Sequence, residues 1–555
     1  MKKVLIINLR RIGDVYTTGH LINSMANAEN TSISMLVYKE TENAAKNLKN
    51  ISSLHAIDRK EIITLKSNKL FSDGFAFELL FRQIEIIKKQ KWDEIINFSN
   101  DLVGAYLCSY LKNSARKIVG IHFNENRNII TNNNWELLFN DVLSTVKYAP
   151  VHFIDCYHKM VGVTHKTDGE KVITNSSHNT KALSNINMLR KNHTIGISST
   201  KIVGIQIKTS DTAKDIPESI MIDLITLMRE ASELIPVILI APFEDERQLA
   251  IDLNSKFNNE LNIIEADLEA VSSVLMNLDI LITPDTAIKH IADLTETPVL
   301  EISLGYAPFL KQGSYAAGSL ILTDILIERN FNKSETKNQV QTNIKAVDII
   351  SSLLYFFAKT KSIRPRLSND VTLYSCSFDK LGARYSVVAG SVNAQLEIHR
   401  LMTRQLINSL YDGNESSEIY SDVADFGTTA ASTWCANEKT KLTEVTKDLL
   451  GTLRTLIQSQ ETKKGSREFI NNLGKLISHS ENFSIMQIPV MMFKTKIEAI
   501  NSTTFEENVR EVEVLLYELK TNVQKVLETI KNLDGMIGLM KKEEFSSKNG
   551  QAEIN

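Results

Sequence analysis

Residues 278–305, LDILITPDTAIKHIADLTETPVLEISLG, read as a strand, a turn, a helix and a second strand. Ile280, Leu281 and Ile282 form a continuous apolar run of the kind found in strands covered on both faces. Pro284, Asp285 and Thr286 make the turn, a short amphipathic helix follows, and Pro298 to Ile302 supplies the next apolar run. Thr286 stands where a helix N-cap belongs, so the amides of Ala287, Ile288 and Lys289 would leave the helix start without internal partners. Such an end attracts anions, and in an open α/β sheet ligands collect outside the carboxyl ends of the strands. On this stretch alone two readings stay open: a seat for a diphosphate, or an ordinary strand-to-helix turn.

The same alternation extends in both directions. Val4 to Ile7 is a buried-strand run followed by Gly13 in a loop, a helix from about Val15 to Ala28 and a strand Ile33 to Val37. A helix near Leu79 to Lys89, a strand Glu94 to Phe98, a helix Leu102 to Leu111 and a strand Lys117 to Ile121 continue the pattern. This predicts a doubly wound parallel sheet. The polar segment from about Thr164 to Asn192, with its TNSSHNT run, reads as a linker. A second α/β unit then starts at Ile202 to Ile207, passes through the opening stretch and closes with a helix over Ile344 to Ala358. The expected domains are 1–165, a linker at 166–195, 196–360, and a helical region at 361–555. In that last region Val371 to Phe378 has strand character, and long amphipathic helices follow. One of them spans Thr504 to Lys541, with a stripe of Val509, Val512, Val514, Leu515, Leu519, Val523, Val526, Leu527, Ile530, Leu533 and Ile537. The stripe fits a helical bundle or a coiled-coil partner surface, and the polar end from Lys542 reads as frayed.

At 555 residues the chain exceeds one ordinary core. A hydrophobic fraction of 43% and only 9 prolines are globular, and a formal charge of -3 argues against nucleic acid as a partner. The four cysteines, Cys108, Cys156, Cys376 and Cys435, are far apart and form no metal or redox pair, which fits a reducing compartment. The apolar run after Met1 stops at Asn8, too soon for a signal peptide, and no stretch approaches the roughly 20 residues of a spanning helix. The expected location is the cytoplasm, with peripheral contact at the inner membrane.

Four separated segments carry a resemblance: LRRIGDVYTTG (9–19), TSDTAKDIPE (209–218), APFEDER (241–247) and PDTAIKH (284–290). In this order and spacing they resemble bacterial glycosyltransferase family 9, whose best-known members are the lipopolysaccharide heptosyltransferases. The resemblance ends near residue 360. It implies a GT-B fold, two Rossmann-like domains facing across a cleft, with the second holding most of a nucleotide-sugar donor. An inverting transfer follows, with ADP-heptose the favoured donor and no cofactor or metal.

The resemblance also implies roles. Asp14 becomes the general base that takes a proton from the acceptor hydroxyl, although an aspartate here equally suits the start of the helix after it. Thr209, Ser210 and Lys214 become ligands of the donor phosphates, where fixed positive charge stabilises a departing diphosphate. Glu244 takes the ribose hydroxyls, or else merely favours a helix start together with Asp245 and Glu246. Asp285, Thr286 and His290 match the family's D-T-G-x-x-H phosphate motif, and Ala287 replaces its glycine, adding a methyl group where the diphosphate would approach. Arg10 and Arg11 either contact an acidic acceptor or are solvated. Outside the resemblance, His152, Cys156 and His158 suggest a metal set but lack an obvious fourth ligand, so a packing helix is the expectation.

The helical region has no counterpart in the resemblance. The resemblance implies a lipopolysaccharide-type glycan or another bacterial surface molecule as acceptor; the added region suggests as an alternative a protein acceptor, such as flagellin or an autotransporter, and a homo-oligomer or protein partner. A degenerate scaffold with a working helical bundle is the alternative to an enzyme.

Overall fold

A computed structural model describes residues 1–552 except 29, 68–72, 126–127, 144–148, 192–199, 232, 305–308, 325–341, 359–361, 414–416, 460–462 and 503. The chain divides into two compact units, one formed by residues 1–123 with 151–391 and the other by 124–150 with 392–555.

The first unit contains two parallel sheets. In its N-terminal half β1 (Lys2–Ile7), β2 (Thr31–Tyr38), β3 (Ile51–Ile57), β4 (Trp92–Asn97) and β5 (Ala115–Val119) lie in the order β3-β2-β1-β4-β5, all parallel. Val4 to Ile7 are fully buried, as expected of a strand with helices on both faces. Two two-residue strands follow, β6 (His122–Phe123) in this unit and β7 (Ile129–Ile130) in the other.

The C-terminal half holds β8 (Lys201–Gln206), β9 (Leu234–Ile240), β10 (Asn262–Glu265), β11 (Ile280–Thr283), β12 (Val299–Ser303), β13 (Leu320–Asp324), β14 (Val371–Asp379) and β15 (Gly382–Gly390). Their order is β10-β9-β8-β11-β12-β13-β14-β15, parallel as far as β13 and antiparallel beyond it. Met221, Leu224, Ile225 and Met228, at helical spacing on Glu218–Glu230, seal one face over Val203, Ile205 and Ile282. In both sheets the strand order reverses beside the first strand, between β1 and β4 and between β8 and β11. That reversal opens a crevice at the carboxyl ends. The two halves face each other across these crevices, the GT-B arrangement.

Four expectations need correction. The strand character near residue 371 belongs to a hairpin, β14–β15, that extends the second sheet, so this unit runs to Ser391 rather than to about 360. Residues 124–150 group with the helical unit rather than with the N-terminal half. The linker segment contains a helix, Ser176–Lys191, whose Ala182 and Ile186 are buried at i,i+4 spacing and whose Arg190 pairs with Asp279 at 2.6 Å. Two apolar side chains on one face outweigh an Asn- and Ser-rich composition; residues 192–195 of that expected linker lie outside the described residues. The last helix does not stop at Lys541 but continues to Ala552.

The second unit is a helical bundle with its own core. Thr428–Ser459 and Phe505–Ala552 pack through Leu442, Val445, Leu449 and Leu456 and through Leu516, Leu519, Val523, Val526, Ile530, Leu533 and Ile537. Leu516 is buried where the expected stripe placed Val514, which is exposed. No helix among the described residues is long and apolar enough to cross a membrane.

Candidate active site

The cleft between the two halves of the first unit measures about 2060 Å³ and is lined from both carboxyl-end crevices. Arg10, Arg11 and Asp14 enter it from the N-terminal half; Thr209, Ser210, Lys214, Asp285, Thr286, Ala287 and His290 enter it from the other. Residues far apart in sequence thus converge because each follows a strand beside a reversal of strand order.

The loop after β1 is held by its own backbone. The Asn8 side chain donates to the Asp14 carbonyl at 2.8 Å, and Arg10 Nη1 donates to the Ser99 carbonyl at 3.2 Å. Asp14 lies in the first turn of the helix Ile12–Ala28, and its Oδ2 accepts the Arg11 amide at 3.2 Å. This is one half of a capping box. Arg10 Nε stands 3.5 Å from the same oxygen. Asp14 therefore does both things its sequence position allowed: it ties down the helix start and it faces the cleft. Both contacts use Oδ2, so Oδ1 is not committed to them.

Across the cleft, Thr209 is committed to its loop, its hydroxyl donating to the Asp211 carbonyl at 2.6 Å and its amide to Asp215 at 2.8 Å. Ser210 is exposed. Lys214 is buried at the cleft wall with Nζ 2.9 Å from Asp285 Oδ2. Asp285 also accepts from Lys289 at 2.6 Å and from the Gln312 amide at 2.9 Å. Burial alone would raise the Asp285 carboxyl, but Lys289 and Lys214 outweigh it and hold it well below the usual carboxylate range. Lys289 is fully buried; burial would lower its ammonium, yet Asp285 and Glu301 keep it above its ordinary value.

Thr286 occupies the N-cap position of the helix Ala287–Leu294, but its hydroxyl does not cap the helix. It donates instead to Gln206 Oε1 at 2.6 Å, which also accepts from Thr283 at 2.7 Å. The first-turn amides consequently receive no oxygen from that side chain, and the positive end of the helix dipole opens on the cleft with Ala287 at its rim. His290 is buried one turn in. Burial, then the Lys289 charge, push its imidazole down to about 3, and its Nδ1 has no hydrogen-bond partner among the described residues. The first turn of the helix Ile12–Ala28 presses on this one: a Cβ on Gly13 would stand 3.1 Å from His290 Cδ2.

Glu244 is not brought to the cleft. Phe243 sets the start of the helix Glu244–Ser255, and Glu244 points outward, its side chain 89% exposed and 3.7 Å from Arg247. Asp245 and Glu246 line the cleft instead; Asp245 pairs with Lys208, and Glu246 accepts the Ala241 amide at 2.7 Å. Gln206, Lys208, Lys289 and Gln312 are site residues that the motifs do not single out. For Lys289 a signal existed, its i,i+4 spacing from Asp285; Gln312 is placed by tertiary packing alone. His152, Cys156 and His158 lie buried on the helix Phe153–Val161 or at its cap. His152 Nε2 meets the Gly313 carbonyl at 3.1 Å, and His158 meets the Ile154 carbonyl and the Ser24 hydroxyl, so both imidazoles are used in packing.

Residues 80–308 match the family model described as glycosyltransferase family 9 (heptosyltransferase), which takes in the second-half site residues from Gln206 to His290 and leaves Asp14 and Gln312 outside. No curated protein matches the chain significantly. Among solved structures, a glycosyl transferase family 9 protein from Veillonella parvula aligns at 16% identity over 64% of this chain and 97% of its own, with a TM-score of 0.48. E. coli ADP-heptose LPS heptosyltransferase II aligns at 12% identity over 58% and 90%, with a TM-score of 0.40. E. coli heptosyltransferase WaaC with ADP-2-deoxy-2-fluoro heptose aligns at 13% over 57% and 96%, with a TM-score of 0.37. Residues 80–308 thus match glycosyltransferase family 9, and that match supports a glycosyltransferase.

Proposed function

We propose that the enzyme transfers a sugar, with heptose favoured, from a nucleotide-sugar to a hydroxyl of a lipopolysaccharide-type glycan or another bacterial surface acceptor, inverting the anomeric centre. The single observation that carries this reading is the shared cleft, in which the Asp14 carboxylate faces Lys214, Asp285 and the uncapped start of the helix Ala287–Leu294. Asp14 takes the acceptor proton as the hydroxyl oxygen attacks the anomeric carbon. The bond from that carbon to the diphosphate breaks, and the nucleoside diphosphate leaves with the electron pair. Lys214 and the helix amides meet the negative charge that develops there, so the proposed chemistry needs no metal. Ser210 is the hydroxyl left to contact phosphate, since Thr209 is bonded to its own loop.

Heptose and an adenine nucleotide are favoured because the matching family is that of the heptosyltransferases. The reaction is placed in the cytoplasm at the inner membrane face, where a lipid-linked acceptor would be presented. A second reading keeps the chemistry and changes the acceptor: residues 392–555, the larger part of the helical unit, lie outside the family match and carry that unit's core, which favours recruitment of a protein acceptor through it.

Calorimetric titration of the full chain with ADP, GDP, UDP and CDP tests the donor site. Selective binding of ADP is expected, followed by transfer from ADP-heptose. Failure of all four to bind would overturn the reading.

A further inference from the structure

Asp285 is shared between two lysines that differ in one respect. Lys214 and Asp285 both line the cleft, whereas Lys289 does not and is fully buried. Lys289 Nζ donates to Asp285 Oδ1 at 2.6 Å, to Glu301 Oε1 at 3.3 Å and to the Gln312 carbonyl at 2.7 Å, so its three N–H bonds are all used. Asp285 Oδ2 accepts from Lys214 and from Gln312 Nε2, both at 2.9 Å.

Were Lys214 the sole cation beside this carboxylate, the two would form a closed buried pair, and turning Lys214 toward a ligand would strand Asp285 without a counter-charge. Lys289 removes that obstacle. When Lys214 turns away, Asp285 still holds Lys289 on one oxygen and Gln312 on the other. We propose that Lys289 is a positioning residue that never touches substrate and acts by keeping Asp285 charged and fixed, so that Lys214 is released to the diphosphate of the donor. This deepens the donor-site reading above and rests on it.

The test compares four full-length proteins: the parent, Lys214→Ala, Lys289→Met/Glu301→Gln, and the three substitutions combined. The double substitution removes one buried cation and one buried anion together, leaving the Lys214–Asp285 pair balanced. Calorimetry reads the affinity for a nucleoside diphosphate and for the bare nucleoside. The double variant should lose about tenfold or more in diphosphate affinity with nucleoside affinity unchanged. The combined variant should bind diphosphate no worse than Lys214→Ala alone, because both changes act through one ammonium. Parent-like diphosphate affinity in the double variant, or losses that multiply in the combined one, would overturn the proposal. Glu301→Gln alone is a near-isosteric check should the double variant fail to fold. It leaves Asp285 as the one carboxylate bonded to Lys289, which keeps the Gln312 carbonyl as well, so diphosphate affinity should rise or hold, and a fall would overturn the proposal. Parent-like binding by Lys214→Ala would instead sink the donor-site reading itself.

Discussion

The two crevices of the first unit have the same topological origin and opposite electrostatic character. After β1, Arg10 and Arg11 are exposed, and Asp14 holds a single 3.5 Å ion pair near solvent. After β8 and β11, Lys214, Asp285, Lys289 and Glu301 are all buried and joined by contacts of 2.6–3.3 Å. Solvated charges are screened and rearrange at little cost. A buried, mutually bonded set is fixed before any ligand arrives, and fixed charge is what stabilises a leaving anion. The first crevice thus suits a partner that varies and the second a defined one.

Asp14→Asn gives the sharpest test of the contrast. It should lower transfer by about 10²–10⁴-fold while leaving nucleoside diphosphate affinity unchanged. Steady-state rates beside calorimetry decide this, and equal loss in both would remove Asp14 from the role of base. On the buried side, Lys214→Ala should weaken diphosphate binding about 10–100-fold and spare the bare nucleoside. Unchanged diphosphate affinity would make the buried pair purely structural.

Asp293 tests how dry the second crevice is. Burial pushes its carboxyl up to about 7 against the pull of the Ser314 hydroxyl at 2.6 Å. The stability it contributes is therefore complete below the unfolded carboxylate value of about 3.9 and is lost as pH rises through about 7. Asn keeps the neutral shape at every pH. Urea unfolding should show Asp293→Asn level with the parent at pH 4 and more stable by roughly 2–4 kcal/mol at pH 8. A difference that does not change with pH would mean that water reaches the carboxyl.

The smallest effect belongs to the point where the two sides touch. Gly13→Ala brings a methyl within 3.1 Å of His290 Cδ2 and should cost about 1 kcal/mol, read as a lowered Tm. No change in Tm would show slack between the first turn of the helix Ile12–Ala28 and the helix that carries His290.

Both sheets were legible because their central strands are unbroken apolar runs such as Val4 to Ile7 and Ile280 to Ile282. Three outlying strands were not. In β3, ISSLHAI, two serines and a histidine blur the period, and β13 and the glycine-bounded β15 take their strand character from the neighbours they pair with. At the site, residues that follow a strand could be placed from the pattern, since topology delivers them to the crevice. Which of Glu244, Asp245 and Glu246 faces it depends on where Phe243 starts the helix, a phase that composition does not carry. The same holds for Val514 and Leu516, where a shift of two residues on the helix exchanges core for solvent. Gln206 and Gln312 lay beyond any local pattern, because what they bond to is set by the assembled sheet.

The hairpin after residue 360 has a practical corollary for anyone cutting the gene. β14 covers β13, and the turn into β15 is locked from elsewhere in the same unit: Asp155 accepts the Ala383 amide at 2.9 Å and fills the space where a Cβ on Gly382 would stand. Gly382 has φ near 123°, so only glycine suits both the backbone and the crowding. A fragment ended at 360, where the family resemblance stops, would strip two strands and bare the hydrogen-bonding edge of β13, a template for association between chains. Ending the fragment after Ser391 keeps that edge paired, but residues 124–150 belong with the helical unit, and Trp135, which packs on Tyr411, would lose its cover; the full chain is therefore the protein to express.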